Sequence, residues 1–285
     1  MLNIDLHCHS NVSDGMLPPA EVVARAAANS VHVLALTDHD DTSGLAEAAI
    51  AARDAGLTLI PGVEISVTWH GQTVHIVGLR INPAHPDLAN GLQGIRHGRQ
   101  ERAQRMSDDL ARSGIDGAYA GAYGYAANKQ MVGRVHFARW LVAQGHVPDV
   151  RAAFQRYLTQ GKPGYVEHEW TSLDNAVGWI RASGGMAVIA HPGRYAFKAR
   201  EQQLLLDAFR ALGGEGIEVI TGSHHPSEYG KWADLARAFG LKASRGADFH
   251  APGEGIDIGR LPALPHYCQP VWQDWPEVAA HAAVA

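Results

Sequence analysis

The feature that most constrains this chain is a repeated unit: a short apolar run, a histidine or carboxylate just after it, then an amphipathic stretch. Residues 2–6 read as a strand, followed by His7 and His9. A helix opens at Pro18-Pro19 and runs to Asn29, since proline is tolerated in a first turn. Residues 31–36 form a second strand, and residues 43–55 a helix that Gly56 is placed to end. Residues 57–61 are a third strand, and residues 64–69 and 73–81 pair across His70-Gly71. Residues 187–190, 216–220 and 242–245 are short strands between helical segments. Such alternation builds a parallel α/β architecture, and 285 residues suit a barrel.

The middle of the chain breaks this rhythm. Residues 92–113, 132–145 and 150–159 read as helices, and no strand is expected until Gly164-Tyr165-Val166. The expected organisation is a barrel from residues 1–95 and 163–285, with residues 96–162 as a helical insertion lying over one end as a lid. Charge divides the same way. Residues 96–162 hold 11 Lys/Arg against 5 Asp/Glu, while the remainder holds 13 against 24. An acidic body suits cation binding, and a basic insert suits anions.

Apolar residues make up 46% of the chain and charged residues 19%, so a packed core is expected and disorder is not. The first residues carry no basic stretch followed by an apolar run, and no apolar segment is long enough to cross a bilayer. Cys8 and Cys268 are the only cysteines, which fits a reducing cytoplasm better than a disulfide framework. Neither a membrane nor an obligate protein partner is expected.

Histidine is the compositional outlier, with 17 residues spread along the chain. Asp5, His7 and His9 alternate with Leu6 and Cys8, so strand geometry sends the first three to one face. Asp14 follows in the loop, and Thr37-Asp38-His39-Asp40 ends the second strand. Glu64 follows the third strand and His75 lies on the hairpin. His191-Pro192 ends the strand at 187–190, and Asp248 and His250 repeat the spacing by two. A single histidine of this kind is commonly a satisfied core or surface residue. Nine candidate ligands at equivalent strand ends would bury several charges without compensation, and bound cations supply it. Strand C-termini are also where barrel active sites collect.

The segments Asp5-Leu6-His7-Cys8-His9, Thr37-Asp38-His39-Asp40, Gly62-Val63-Glu64, His191-Pro192 and Asp248-Phe249-His250 resemble, in order, the motifs of the polymerase-and-histidinol-phosphatase (PHP) family within the amidohydrolase superfamily. The resemblance implies a distorted seven-stranded (β/α) barrel with a trinuclear metal centre. It assigns His7, His9, Glu64 and Asp248 to one ion, Glu64, His75 and His191 to a second, and Asp14, His39 and His250 to a third. Imidazole and carboxylate donors suit manganese, iron, zinc or cobalt alike, and manganese is preferred on the resemblance alone. Asp5 and Asp38 are expected to orient ligating imidazoles, and Cys8 to face away into packing. A hydroxide bridging two of the ions is the expected nucleophile, since no Ser-His-Asp or Cys-His arrangement is evident.

For substrate binding the basic insert offers Arg99, Arg102 and Arg105 at spacing three, Arg134 in Gly133-Arg134-Val135-His136, and Lys162 in Gly161-Lys162-Pro163. Arg194 follows His191 by three, and Thr171-Ser172-Leu173-Asp174 resembles a capping box whose amides could receive phosphate. Each arginine could equally be a solvated helix face. Trp170 is a candidate base-stacking residue, His224 a candidate proton donor to the leaving group, and Glu218 a stabiliser of the barrel interior. The insert and its motifs resemble a nucleotide-directed PHP subgroup. The implied reaction is removal of the 3′-phosphate from a 3′,5′-nucleoside bisphosphate. Alternatives are 5′-to-3′ trimming of short oligoribonucleotides, histidinol phosphate hydrolysis, an amide hydrolase or deaminase, and a non-catalytic scaffold. Metal-dependent phosphate release from a nucleotide separates the first from the last.

Overall fold

The computed structural model describes residues 2–282. Seven strands lie in one sheet in chain order: β1 (Ile4–Asp5), β2 (Val33–Leu36), β3 (Thr58–Trp69), β4 (Gln72–Leu79), β5 (Met186–Ile189), β6 (Gly216–Thr221) and β7 (Lys242–Gly246). Neighbours pair in parallel except β4, which is antiparallel to both β3 and β5. The two outer strands meet: the Leu6 amide donates to the Arg245 carbonyl at 3.0 Å and the Asp248 amide to the His7 carbonyl at 2.8 Å. The expected distorted (β/α)7 barrel is therefore present, closed at the β1–β7 seam.

The helices are α1 (Pro19–Ala28), α2 (Leu45–Ala55), α3 (Pro86–Arg112), α4 (Ala118–Tyr125), α5 (Arg134–Ala143), α6 (Val150–Ala153), α7 (Leu173–Ala182), α8 (Ala199–Ala211), α9 (Tyr229–Ala238) and α10 (Pro276–Ala282), with a π-helical turn at Phe154–Leu158 continuing α6. Val22, Ala48, Ile180, Phe209 and Trp232 pack with Leu34, Ile189 and Ile217 of the sheet in the main core. At the other face, Val271, Trp275 and Val278 join Ile4, Leu6, Val33, Ile60 and Val188. The helical block has its own core, from Ala103 through Leu110, Phe137 and Leu141 to Leu158.

Four local expectations change. The strands expected at 57–61 and 64–69 are one strand, β3, because Gly62 lets it run close to β2: a Cβ there would sit 2.7 Å from Thr37 Cγ2. α3 begins at Pro86, not residue 92, and Leu88, Leu92 and Ile95 belong to the main core, so the boundary expected at 96 falls inside a helix. α4 was not anticipated; its sequence, AYAGAYGY, has no amphipathic stripe to read. No strand forms at 164–166. The Gly164 amide turns back to the Tyr157 carbonyl at 2.7 Å and the Tyr165 amide to the Lys162 carbonyl at 3.0 Å.

Candidate metal centre

The structure brings all nine candidate ligands together, most of them just past strand ends, with Glu64 and His75 inside strands. His7 and His9 follow β1, His39 follows β2, Glu64 and His75 lie on β3 and β4, and His191, Asp248 and His250 follow β5 and β7. Pairing fixes these positions: His39 bridges to Glu64 and Cys8 to Phe249. Glu64 is fully buried at the centre. Its Oε2 lies 3.4 Å from His7 Nε2 and 3.3 Å from His9 Nε2, and Asp248 Oδ1 lies 3.5 and 3.3 Å from the same nitrogens. Its Oε1 lies 3.0 Å from His75 Nδ1 and 2.9 Å from His191 Nε2, which are 3.3 Å apart. Asp14 Oδ1 is 3.2 Å from His250 Nε2, and His9 and His39 complete a third group whose donor atoms all lie within 4.8 Å of one another. His39 faces two groups, with Nδ1 at 3.0 Å from Glu64 and Nε2 at 3.9 Å from Asp14.

Electrostatics and unmet valence fit cations here. Burial would raise the carboxyls of Asp14, Glu64 and Asp248, but the surrounding imidazoles outweigh it and hold all three well below the usual carboxylate range. Burial pushes His39 and His191 down to about 4, leaving both neutral with free lone pairs. For His9 burial is outweighed by Asp248 and Glu64, which push it up to about 10; protons thus sit where a cation would otherwise neutralise the carboxylates. Asp14 Oδ1, His39 Nδ1 and Glu64 Oε2 are buried and meet only other ligand groups at ion-pair range, none in hydrogen-bonding geometry, a cost that coordination to a cation removes. Buried imidazole and carboxylate donors in three groups suit borderline divalent metals.

The aspartates expected to orient imidazoles bond no imidazole directly, and the Ser13 hydroxyl links Asp38 to His9 Nδ1 at 3.5 Å. Asp5 accepts the amides of Ala247 and Gly259 at 2.8 and 2.7 Å, pinning the barrel seam, and burial pushes it up to about 6. Asp38 accepts the Ser10 amide, the Ser10 hydroxyl and the Ser13 hydroxyl at 2.8, 2.7 and 2.6 Å, ordering the loop between His9 and Asp14. Cys8 packs away from the cluster, its thiol donating to the Ala35 carbonyl. The carboxylate that does reach a ligating imidazole is Glu218, at 2.8 Å from His7 Nδ1.

A cavity of about 370 Å³ opens over the cluster, lined on the insert side by Arg99, Arg102, Arg134 and Phe154, and on the barrel side by Arg194 and Ile256. Arg99 is committed elsewhere: it ion-pairs with Asp40 and donates to Ser66 Oγ at 2.8 Å. Arg102 is 7% exposed and its Nε has no partner. Burial, then Arg134 and Arg99, push it down to about 9. Burial also lowers Arg134, which lies over the Phe154 ring at 5.9 Å. Arg194 donates to Asp248 Oδ2 at 3.2 Å.

Other expected contacts lie outside this cavity. Arg105 is exposed in a separate surface depression with Asp108, Asp109 and Glu167, because a step of three on a helix falls about 60° short of a turn. Lys162 is exposed and does not line the cavity. Thr171 lies outside it as well; the N-cap of α7 is Ser172, whose hydroxyl accepts the Asn175 amide. Trp170, by contrast, does line the cavity, with the guanidinium groups of Arg99 and Arg102 against its ring at 4.6 and 5.2 Å. His224 is 4% exposed, accepts the Gly193 amide at Nε2 (2.9 Å) and faces the Val219 carbonyl with Nδ1. Both its nitrogens are engaged, so it has no proton to offer a leaving group.

The PHP domain family model matches residues 5–221. A 3′,5′-nucleoside bisphosphate phosphatase of Chromobacterium violaceum is 55% identical over 276 residues, 96% of each chain. A 5′-3′ exoribonuclease of Haemophilus influenzae is 43% identical, over 94% of this chain and 97% of its own. An amidohydrolase from Chromobacterium violaceum, solved with bound sulfate, superposes with a TM-score of 0.92 at 55% identity, over 95% and 94% of the two chains.

Proposed function

The chain belongs to the PHP domain family, and on that premise we propose that it is a metal-dependent phosphomonoesterase removing the 3′-phosphate of 3′,5′-nucleoside bisphosphates to give the 5′-monophosphate and inorganic phosphate. The observation that carries this reading is Arg102, a buried guanidinium with an unpartnered Nε, set beside Arg134 in the cavity over the cluster. A buried and a half-buried guanidinium side by side, with no carboxylate among the described residues ion-paired to either, need an anion, and a second phosphate on the substrate supplies it. A substrate with one phosphate would leave that site unused.

Up to three divalent cations would be held, by His7, His9, Glu64 and Asp248, by Glu64, His75 and His191, with His39 also within reach of Glu64, and by Asp14, His39 and His250. Manganese follows from the family, and zinc or iron fits the donors equally. Such ions supply hydroxide at neutral pH and neutralise phosphoryl oxygens. Arg194, tied to Asp248 at the rim of the cluster, would hold the reacting phosphoryl group. Arg102 and Arg134 would grip the 5′-phosphate, and that remote binding orients the reacting end. Residues 96–162 would act as the lid over a barrel of residues 1–95 and 163–285, with α3 reaching into both. No helix among the described residues is long and apolar enough to cross a membrane, and both cysteines are free, which supports a cytoplasmic setting.

The similarity to the Haemophilus influenzae protein favours one other reading, 5′-to-3′ trimming of short oligoribonucleotides at the same cluster. A phosphate-release screen on the metal-loaded protein tests both. Turnover of nucleoside bisphosphates above monophosphates and oligonucleotides supports the first, and nucleotide release from a 5′-phosphorylated oligomer above all others supports the second.

A further inference from the structure

Glu218 is a carboxylate 1% exposed in the middle of β6, flanked by Ile217 and Val219, both part of the core shared with the helices. Side chains alternate along a strand, so Glu218 is turned to the opposite face. There its two oxygens divide between two ligand groups. Oε1 lies 2.8 Å from His7 Nδ1, and Oε2 accepts the His191 backbone amide at 2.6 Å.

Each contact fixes something the cluster needs. A carboxylate on Nδ1 holds the proton there and leaves the Nε2 lone pair of His7 pointing at Glu64 and Asp248. His191 has φ +24°, in the region that costs an ordinary residue about 1–3 kcal/mol, and it precedes a proline. That backbone turn brings its Nε2 to 2.9 Å from Glu64 and 3.3 Å from His75. The amide bond to Glu218 holds the turn in place. β6 shifts register between Glu218 and Ile220, which places the side chain at an irregular point of the ladder.

We propose that Glu218 is a positioning residue that sets one imidazole in each of two metal groups, so that the two ions depend on it together. The inference rests on the metal reading of the cluster. Asp5, by contrast, accepts backbone amides alone, those of Ala247, Gly259 and, at 3.5 Å, His7, and Asp38 reaches an imidazole only through the Ser13 hydroxyl, 3.5 Å from His9 Nδ1.

The test is metal titration of the whole protein by calorimetry with Mn²⁺, beside the thermal midpoint of the metal-free form. Glu218→Gln keeps the size but has one acceptor oxygen for two N–H donors, so the contact to His7 either breaks or inverts, the amide NH2 donating to Nδ1 and moving the ring proton to Nε2. Glu218→Asp is one methylene short and reaches at most one partner. Both should weaken metal binding about 10- to 100-fold at more than one equivalent, with the midpoint of metal-free Glu218→Gln little changed. The ¹⁵N shifts of the His7 ring should show a changed tautomer in Glu218→Gln. Wild-type affinity at every equivalent in a folded variant would overturn the inference and leave the metal reading standing. So would a metal-free midpoint that drops while affinity holds, because Glu218 would then be framework only. A wild-type protein that takes up no metal would overturn both.

Discussion

At the scale of single residues, the balance between pairing and isolation separates machinery from scaffold. Arg99 and Arg102 are one turn apart on α3, yet Arg99 is held by Asp40 and Ser66 while Arg102 leaves its Nε unmet. A buried charge with no counterion, only the Trp170 ring beside it, destabilises a protein until its counterion arrives. Arg102→Ala should therefore leave the thermal midpoint unchanged or raise it, while kcat/KM on a nucleoside bisphosphate falls by about 2–3 kcal/mol, the loss of a charge-assisted contact. A generic aryl phosphate, lacking the second phosphate, should lose much less. Equal losses on both substrates would move Arg102 to the reacting group. The cluster makes its own prediction. Nine donors, with Glu64 shared between two groups, should bind more than one divalent ion per chain, and elemental analysis after reconstitution reads this directly. Uptake that stops at one ion would end the trinuclear reading. Replacing Asp248 or His250 should cost activity by orders of magnitude.

At the scale of elements, legibility followed locality. Barrel strands and most helices were readable because apolar runs and capping residues signal them within a few positions, and the strand-end histidines travelled with those runs. What was missed needed partners distant in sequence. The Glu218 carboxylate sits in an otherwise apolar strand, and its meeting with His7 depends on barrel closure. Asp5 shares the alternation of His7 and His9 but is turned to the amides of Ala247 and Gly259, which no local pattern announces. The arginine ladder failed on rotation: Arg105 comes round to solvent while Arg102 stays inside. The start of α5 shows how much one side chain can carry. His136 is buried and its Nδ1 accepts the Gly133 amide at 3.0 Å, the role that Glu or Gln takes in a capping box. Burial pushes it down to about 4. A histidine depressed in the folded state contributes stability that is present above its unfolded pKa, near 6.5, and is lost as pH falls through about 4. His136→Gln keeps the acceptor and removes the titration. Wild type and variant should have similar stability near pH 8 and diverge by roughly 2–3 kcal/mol in favour of the variant by pH 4. Denaturant melts across that range check it, and parallel curves would place the acid sensitivity elsewhere.

At the scale of the whole molecule, charge and shape act together on the choice between a small substrate and a polymer. The acidic body concentrates cations at the strand ends, and the basic insert draws anions to the same opening. A single nucleotide with phosphates at both ends satisfies the cluster and the Arg102–Arg134 pair at once, within a cavity of about 370 Å³. A longer strand would need further contacts along its backbone and bases free to stack on aromatic side chains. Arg105 and Lys162, expected as contacts for either substrate, lie outside the cavity, so few basic side chains remain to follow a strand, while Trp170 stays within it under two guanidinium groups. Two consequences can be measured together. kcat/KM should be highest for a nucleoside carrying 3′ and 5′ phosphates and should fall as nucleotides are added on the 3′ side. Its dependence on salt should be shallow, because a binding step that engages a few phosphates releases few counterions, whereas a track along a strand gives a slope that grows with each phosphate engaged. Activity that climbs from dinucleotide to pentanucleotide, with a steepening salt slope and single nucleotides leaving a 5′-phosphorylated end, would make the lid an open groove and the oligoribonuclease reading the correct one.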